Sequence, residues 1–153
     1  MITEEQKTAL HKEATTFFDK LGSQGVVSIL FEEETGVTVS IVAEEPQLLI
    51  GEKGQTLFEI QHILRMILKK HLPEETRLNL DVNDYRKNKE VYLRELARET
   101  ADEVSLTKKE KELQPMPAVE RRIIHMELAE RTDIASDSVG EGVDRRVVVR
   151  IAV

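Results

Sequence analysis

Two glycines three apart, Gly51 and Gly54, enclose Glu52 and Lys53 between an apolar run ending at Ile50 and a helical pattern opening at Gln55. Glycine has no Cβ and tolerates positive φ, so such a loop lets backbone amides come close to an anion. The first-turn amides of a following helix point the same way. With Lys53 adding a cation, the chemistry on offer is a clamp for the phosphates of a single nucleic-acid strand. A plain turn between two helices would read the same. A second pair, Arg121 and His125, stands four apart on a predicted helix and shares one face. A guanidinium grips phosphate with a planar fork of donors, and an imidazole beside it can donate to a phosphate or stack on a base. An ordinary surface pair has this spacing too. Arg122 beside them, and Arg145, Arg146 and Arg150 near the end, widen a basic patch if the last strand packs beside that helix.

Composition removes several alternatives. The chain has no cysteine, which excludes a disulfide framework, a thiolate zinc site and a cysteine nucleophile. His11, His62, His71 and His125 show no i, i+4 pairing, so no transition-metal site is expected. No Gly-x-x-x-x-Gly-Lys-Ser/Thr string is present, and neither the chemistry nor the motifs call for a cofactor. The acid run Glu32-Glu33-Glu34 reads as solvated charge, with a magnesium site as the alternative. His125 has no Ser, Cys or carboxylate partner at a recognisable offset, so a non-enzymatic protein is expected; a nuclease using His125 as general base is the remaining enzymatic reading. Aromatic content of 4% with no Trp argues against recognition by stacking on several rings. No signal-peptide pattern or membrane-length apolar run is visible, so a soluble cytoplasmic protein without membrane insertion is expected.

The net charge of −7 argues against a polycation that coats nucleic acid. Residues 1–49 hold 3 basic and 9 acidic side chains. The acidity therefore sits at the N-terminal end, and any binding to RNA must come from local geometry.

The elements that would position these residues follow from periodicity. Thr3 and Gln6 have the spacing of a capping box, and Leu10, Ala14, Phe17, Phe18 and Leu21 continue at helical spacing to Gly22. Val26–Phe31 reads as a buried strand, Thr35-Gly36 as a turn, and Val37, Val39 and Ile41 as the inner face of a second strand. Pro46 opens a short helix to Ile50. After the loop, Leu57, Ile60, Leu64, Ile67 and Leu68 make an apolar stripe with Ile63 at its edge, and Leu78, Leu80 and Val82 alternate as a third strand. A long helix from Asp84 presents Tyr85, Tyr92, Leu96, Ala97, Ala101 and Val104. Lys108–Lys111 reads as a solvated connector, Leu113–Met116 as a short strand, and Pro117 opens a helix to about residue 130 burying Val119, Ile123 and Leu128. Ile134–Ser138, a Gly140-Glu141-Gly142 tip and Arg146–Val153 form a closing hairpin. The expected fold is α+β: two small α/β modules meeting near residues 82–84.

In this order, the motifs resemble the bacterial Jag or KhpB family (SpoIIIJ-associated proteins), which joins a KH domain to an R-three-H domain. The resemblance covers roughly residues 26–153. It rests on Gly51-Glu52-Lys53-Gly54-Gln55-Thr56-Leu57, on Leu80-Asp81-Val82 with Tyr85-Arg86, and on Pro115-Met116. Glu120-Arg121-Arg122-Ile123-Ile124-His125 and Gly140-Glu141-Gly142 with Arg145-Arg146-Val147-Val148-Val149 complete it. It implies a type II KH domain at 1–82 and an R-three-H domain at 83–153 that includes its leading helix, each with a three-stranded sheet packed on helices. It also implies binding of RNA or single-stranded nucleic acid through Ile50, Gly51, Glu52, Lys53, Gly54 and Gln55, and through Arg121, Arg122, His125, Arg145 and Arg146. The two sites would reinforce each other through effective concentration if one strand reached both. RNA-chaperone-like roles, a KH-only protein partner or self-association, and links to cell-wall homeostasis and cell length are implied as well.

Two departures qualify this. Many relatives carry a further N-terminal domain, and this chain is expected to begin at the KH module, so the resemblance does not extend to membrane or cell-wall partners recruited through such a region. Glu52 stands where relatives usually have a second basic residue, which should weaken phosphate binding or make it more selective. The rival reading is an interaction adaptor that docks a partner subunit with both modules.

Overall fold

Thr3 and Gln6 form the capping box: the Gln6 amide donates to Thr3 Oγ1 at 3.2 Å and the Thr3 amide to Gln6 Oε1 at 2.8 Å. That start is worth about 1 kcal/mol and launches α1, Glu4–Lys20, which buries Leu10, Ala14 and Phe18. A computed structural model describes residues 2–32 and 36–153 of the chain. The turn expected at Thr35-Gly36 and the acid run Glu32-Glu33-Glu34 lie partly outside the described residues.

β1 (Gly25–Glu32) runs antiparallel to β2 (Gly36–Ala43), and β2 runs parallel to β3 (Arg77–Val82), in the order β1-β2-β3. The register pairs Val37 with Leu78, Val39 with Leu80 and Ile41 with Val82, and all six are buried. The other parity faces outward. Val26–Phe31 is therefore no buried strand: Val26 is 72% and Leu30 61% exposed, and only Val27 in this stretch is buried. An apolar run suggests burial on both faces, but helices cover this sheet on one face and β1 is its edge.

α2 (Pro46–Ile50) leads into the glycine loop, and α3 (Gln55–Leu68) follows it. Leu57, Ile60, Leu64 and Leu68 of α3 are buried as their spacing requires, while Ile67 remains partly exposed. Two polar residues of α3 seal the free edge of β3: Gln61 Oε1 accepts from the Leu80 amide at 2.9 Å, and Arg65 Nη2 donates to the Leu78 carbonyl at 3.0 Å. Asn83 and Asp84, both at positive φ, then turn the chain. Asn83 ties the turn down by bonding both the amide and the carbonyl of Ala43.

α4 (Tyr85–Thr107) buries Leu93, Ala97, Thr100, Ala101 and Val104. Tyr92, expected inside, is 55% exposed, and Leu93 holds the core position. The strand expected at Leu113–Met116 is instead β4, Lys111–Glu112, where the sequence suggested a solvated connector. Its charged side chains hide its pairing with β6, which Leu113 continues by donating to the Val147 carbonyl. α5 (Ala118–Leu128) buries Ile124, Glu127 and Leu128, whereas Val119 is 73% exposed and Ile123 half-buried. The apolar pattern misplaced this face because a carboxylate lies on it: Glu127 bonds Arg94 Nη1 at 2.7 Å and Arg98 Nε at 2.6 Å.

β5 (Ile134–Val139) and β6 (Arg146–Ile151) close the chain, in a sheet of order β4-β6-β5. The fold is thus α+β, with two three-stranded sheets, each with its own core, in compact units Met1–Tyr85 and Arg86–Val153. Among the described residues, no helix is long and apolar enough to cross a membrane.

Candidate nucleic-acid interface

The glycine loop is built from unusual backbone. Gly51 has φ 69° and ψ −173°, a combination open essentially to glycine alone. Lys53 (φ 52°) and Gly54 (φ 78°) are left-handed. The Gly51 amide closes α2 by donating to the Gln47 carbonyl at 2.9 Å, and Gly54 is the N-cap of α3. A glycine N-cap offers no side chain to the first-turn amides; the Gln55 amide already donates to the Glu52 carbonyl, and the positive end of this 14-residue helix faces the loop. Glu52 and Lys53 are exposed, Ile50 packs against the core, and Gln55 Nε2 donates to Glu59 Oε1. Ile50–Gln55 thus forms one local surface by sequence continuity. Leu48 and Phe58, 70% and 65% exposed, flank it in α2 and α3. Sequence reading passed over Phe58; its position off the Leu57-Ile60-Leu64-Leu68 stripe was the available signal.

In the second unit, α5 and β5 bring four side chains together. His125 Nδ1 lies 2.8 Å from Ser136 Oγ and its Nε2 2.9 Å from Ser138 Oγ. Arg121 Nη1 donates to the same Ser138 hydroxyl at 3.0 Å, and its Nε donates to the Met116 carbonyl at 3.2 Å. Burial first, and then the Arg121 charge, push the His125 pKa below its usual 6.5, against a smaller opposing pull from Asp137. The ring is therefore neutral at pH 7, with one nitrogen donating and the other accepting. One of the two serine hydroxyls then donates to His125, and the guanidinium edge at Nη2 is outside both bonds that fix Arg121. The arrangement holds a cation and a neutral imidazole side by side, in fixed orientations, against a strand. Ser136 and Ser138 were not foreseen. Two hydroxyls at i, i+2 share a strand face, but nothing in the sequence says that this face meets α5.

The other arginines are placed differently. Arg122 is exposed one position from Arg121, about 100° around the helix. Arg145 Nη1 donates to the Gly140 carbonyl and shapes the β5–β6 connection. Arg146 pairs with Glu112 at 2.6 Å and Arg150 with Asp137 at 2.6 Å. Both stand at β6 positions opposite in parity to Val147 and Val149, hence on the sheet face away from Ser136 and Ser138. The structure brings Arg121 and His125 together and does not bring Arg146 or Arg150 to them. Among the described residues, no group of three or more His, Cys, Asp or Glu side chains could hold a metal ion.

Residues 91–150, which include Arg121 and His125, match the R-three-H domain family. The protein named RNA-binding protein KhpB from Clostridium symbiosum is 30% identical over 156 residues, covering 99% of this chain and 70% of its own length. Its namesake in Bacillus subtilis (strain 168) is 35% identical over 120 residues, 77% of this chain and 58% of that one. In Lactiplantibacillus plantarum the match is 37% over 114 residues, 74% of this chain and 35% of that one. The chain thus spans from about a third to about two-thirds of the length of these relatives. A match along nearly the whole chain, together with the Arg-x-x-x-His helix and its hairpin, means that the chain belongs to the Jag/KhpB family.

Proposed function

We propose that the chain binds RNA or single-stranded nucleic acid at two places and acts in the cytoplasm as a binding protein rather than an enzyme. The observation that carries this is the convergence of Arg121 and His125 on Ser138, with a guanidinium edge kept clear of those bonds. The relatives named for RNA binding support it. In the first unit, a type II KH-like module, the loop Ile50–Gln55 supplies backbone amides and Lys53 to phosphates. Arg121, His125 and the neighbouring Arg122 supply the second contact, with Arg145 in the β5–β6 connection; Arg146, on the opposite sheet face and paired with Glu112, is left out of it. Family-level roles extend the proposal: RNA-chaperone-like action, a KH-only partner or self-association, and an influence on cell-wall homeostasis and cell length.

The test is fluorescence anisotropy of labelled single-stranded RNA and DNA at two salt concentrations. It compares wild type with Glu52→Asp/Lys53→Asp and with Arg121→Ala/His125→Ala. The left-handed conformation at Lys53 suits the loop pair, since aspartate tolerates it well. Salt-sensitive binding weakened by both variants supports two sites. Binding that both variants leave intact sinks the site assignment. No binding by folded protein favours the adaptor reading, which the neutralised Arg146 and Arg150 and the presence of Glu52 also favour.

A further inference from the structure

Another side chain of the protein fills the space that a Cβ would take at Gly51 and closely borders it at Gly54. A Cβ on Gly51 would lie 2.0 Å from Thr56 Oγ1 and 2.6 Å from Thr56 Cβ. On Gly54 it would lie 3.3 Å from Tyr85 Cε1 and 3.5 Å from the Tyr85 hydroxyl. Gly22 and Gly142 also have positive φ, yet a Cβ on either meets nothing within 4 Å. Backbone conformation alone explains those two glycines. At Gly51 and Gly54 a second requirement is added, because Thr56 and Tyr85 must reach the loop.

Both residues are anchored where they stand. Thr56 is half-buried in the first turn of α3, and Tyr85 is half-buried against the first core at the start of α4. The loop they touch includes Lys53, a residue with a side chain held in the left-handed region, which is unfavourable without support. We infer that Thr56 and Tyr85 are positioning residues. They brace the Gly-x-x-Gly loop from within, one at each glycine, and hold its amides and Lys53 in the bent form that meets phosphate. This rests on the proposed role of the loop. Without the braces the loop occupies several conformations that binding must then order, so affinity falls although no ligand contact is lost.

The experiment uses the full chain carrying Tyr85→Ala, Tyr85→Phe or Thr56→Ala, with Glu52→Asp/Lys53→Asp for comparison. Amide hydrogen exchange across residues 50–57 is measured without ligand, and affinity is measured with labelled oligouridine. Tyr85→Ala should speed exchange in this segment and weaken binding about three- to tenfold, the cost of ordering one or two further groups. Tyr85→Phe keeps the ring edge against Gly54 and should fall between wild type and Tyr85→Ala in both readouts. Thr56→Ala should loosen the Gly51 side, and it carries the test if Tyr85→Ala perturbs the fold. Unchanged exchange at residues 50–57 in folded Tyr85→Ala and Thr56→Ala overturns the inference. If Glu52→Asp/Lys53→Asp leaves binding untouched, the phosphate role fails, while exchange still decides the bracing.

Discussion

Ser138 accepts from Arg121 and meets His125, so one hydroxyl fixes both side chains of the proposed second contact. Ser138→Ala should cost about 1 kcal/mol of stability. It should also lower RNA affinity by about three- to tenfold, as two side chains lose their common anchor. Melting curves and anisotropy check both. His125 sets a pH dependence of known sign. Its folded pKa lies below the unfolded value of 6.5, so the unfolded chain takes up the proton more readily. The contribution is therefore flat above pH 6.5 and turns destabilising as pH falls below it. The lowered carboxylates Glu13, Glu127 and Asp133 act in a separate, more acid window, below their ordinary values of 4.5, 4.5 and 3.8. Denaturant titrations at about pH 7.5 and about pH 5.5 should show a smaller loss for His125→Gln than for wild type. Equal losses would mean that His125 titrates normally. At this scale Arg121 and His125 were legible because helical spacing alone puts them on one face. The serines that orient them were not, because α5–β5 packing is a tertiary fact.

Elements whose polar and apolar faces are cleanly divided are legible in the sequence, with Ile67 of α3, exposed rather than buried, as the exception. The stripe of α3 and the alternation of β2 and β3 needed no partner to interpret. α4 and α5 were read with the wrong residues inside because each mixes signals: Tyr92 is apolar but exposed, and Glu127 is charged but buried between two arginines. The difference is measurable. Leu93→Ala should cost about 2–5 kcal/mol as a core truncation, while Tyr92→Ala should cost less than about 1 kcal/mol, mainly its contact with the Lys89 ammonium. Comparable losses from the two would return Tyr92 to the core. β1 taught a similar lesson, since an apolar strand at a sheet edge cannot be told from a central one by composition.

For the whole molecule, charge sets the character of binding. A chain of net charge −7 that offers Lys53 and a small arginine cluster has few cations with which to displace counterions. If about three phosphates are contacted, the logarithm of affinity should fall with that of salt at a slope of about −2. A much steeper slope would point to a cationic surface beyond these sites. The presence of two compact units was legible because each has its own run of helix and strand patterns. One compact unit gives way to the next after Tyr85, the first residue of α4, one residue past the expected 82–84.

Tyr85 belongs to the first unit by packing and to α4 by secondary structure. The two halves therefore share a residue's worth of sequence across what looks like a clean break after β3. A recombination event, natural or in the laboratory, that spliced a different domain on at Val82 would leave Gly54 without its aromatic neighbour and hand on a loop already loosened. Any lineage that trades the second half must carry the opening of α4 along with the first, or supply an aromatic of its own at that position.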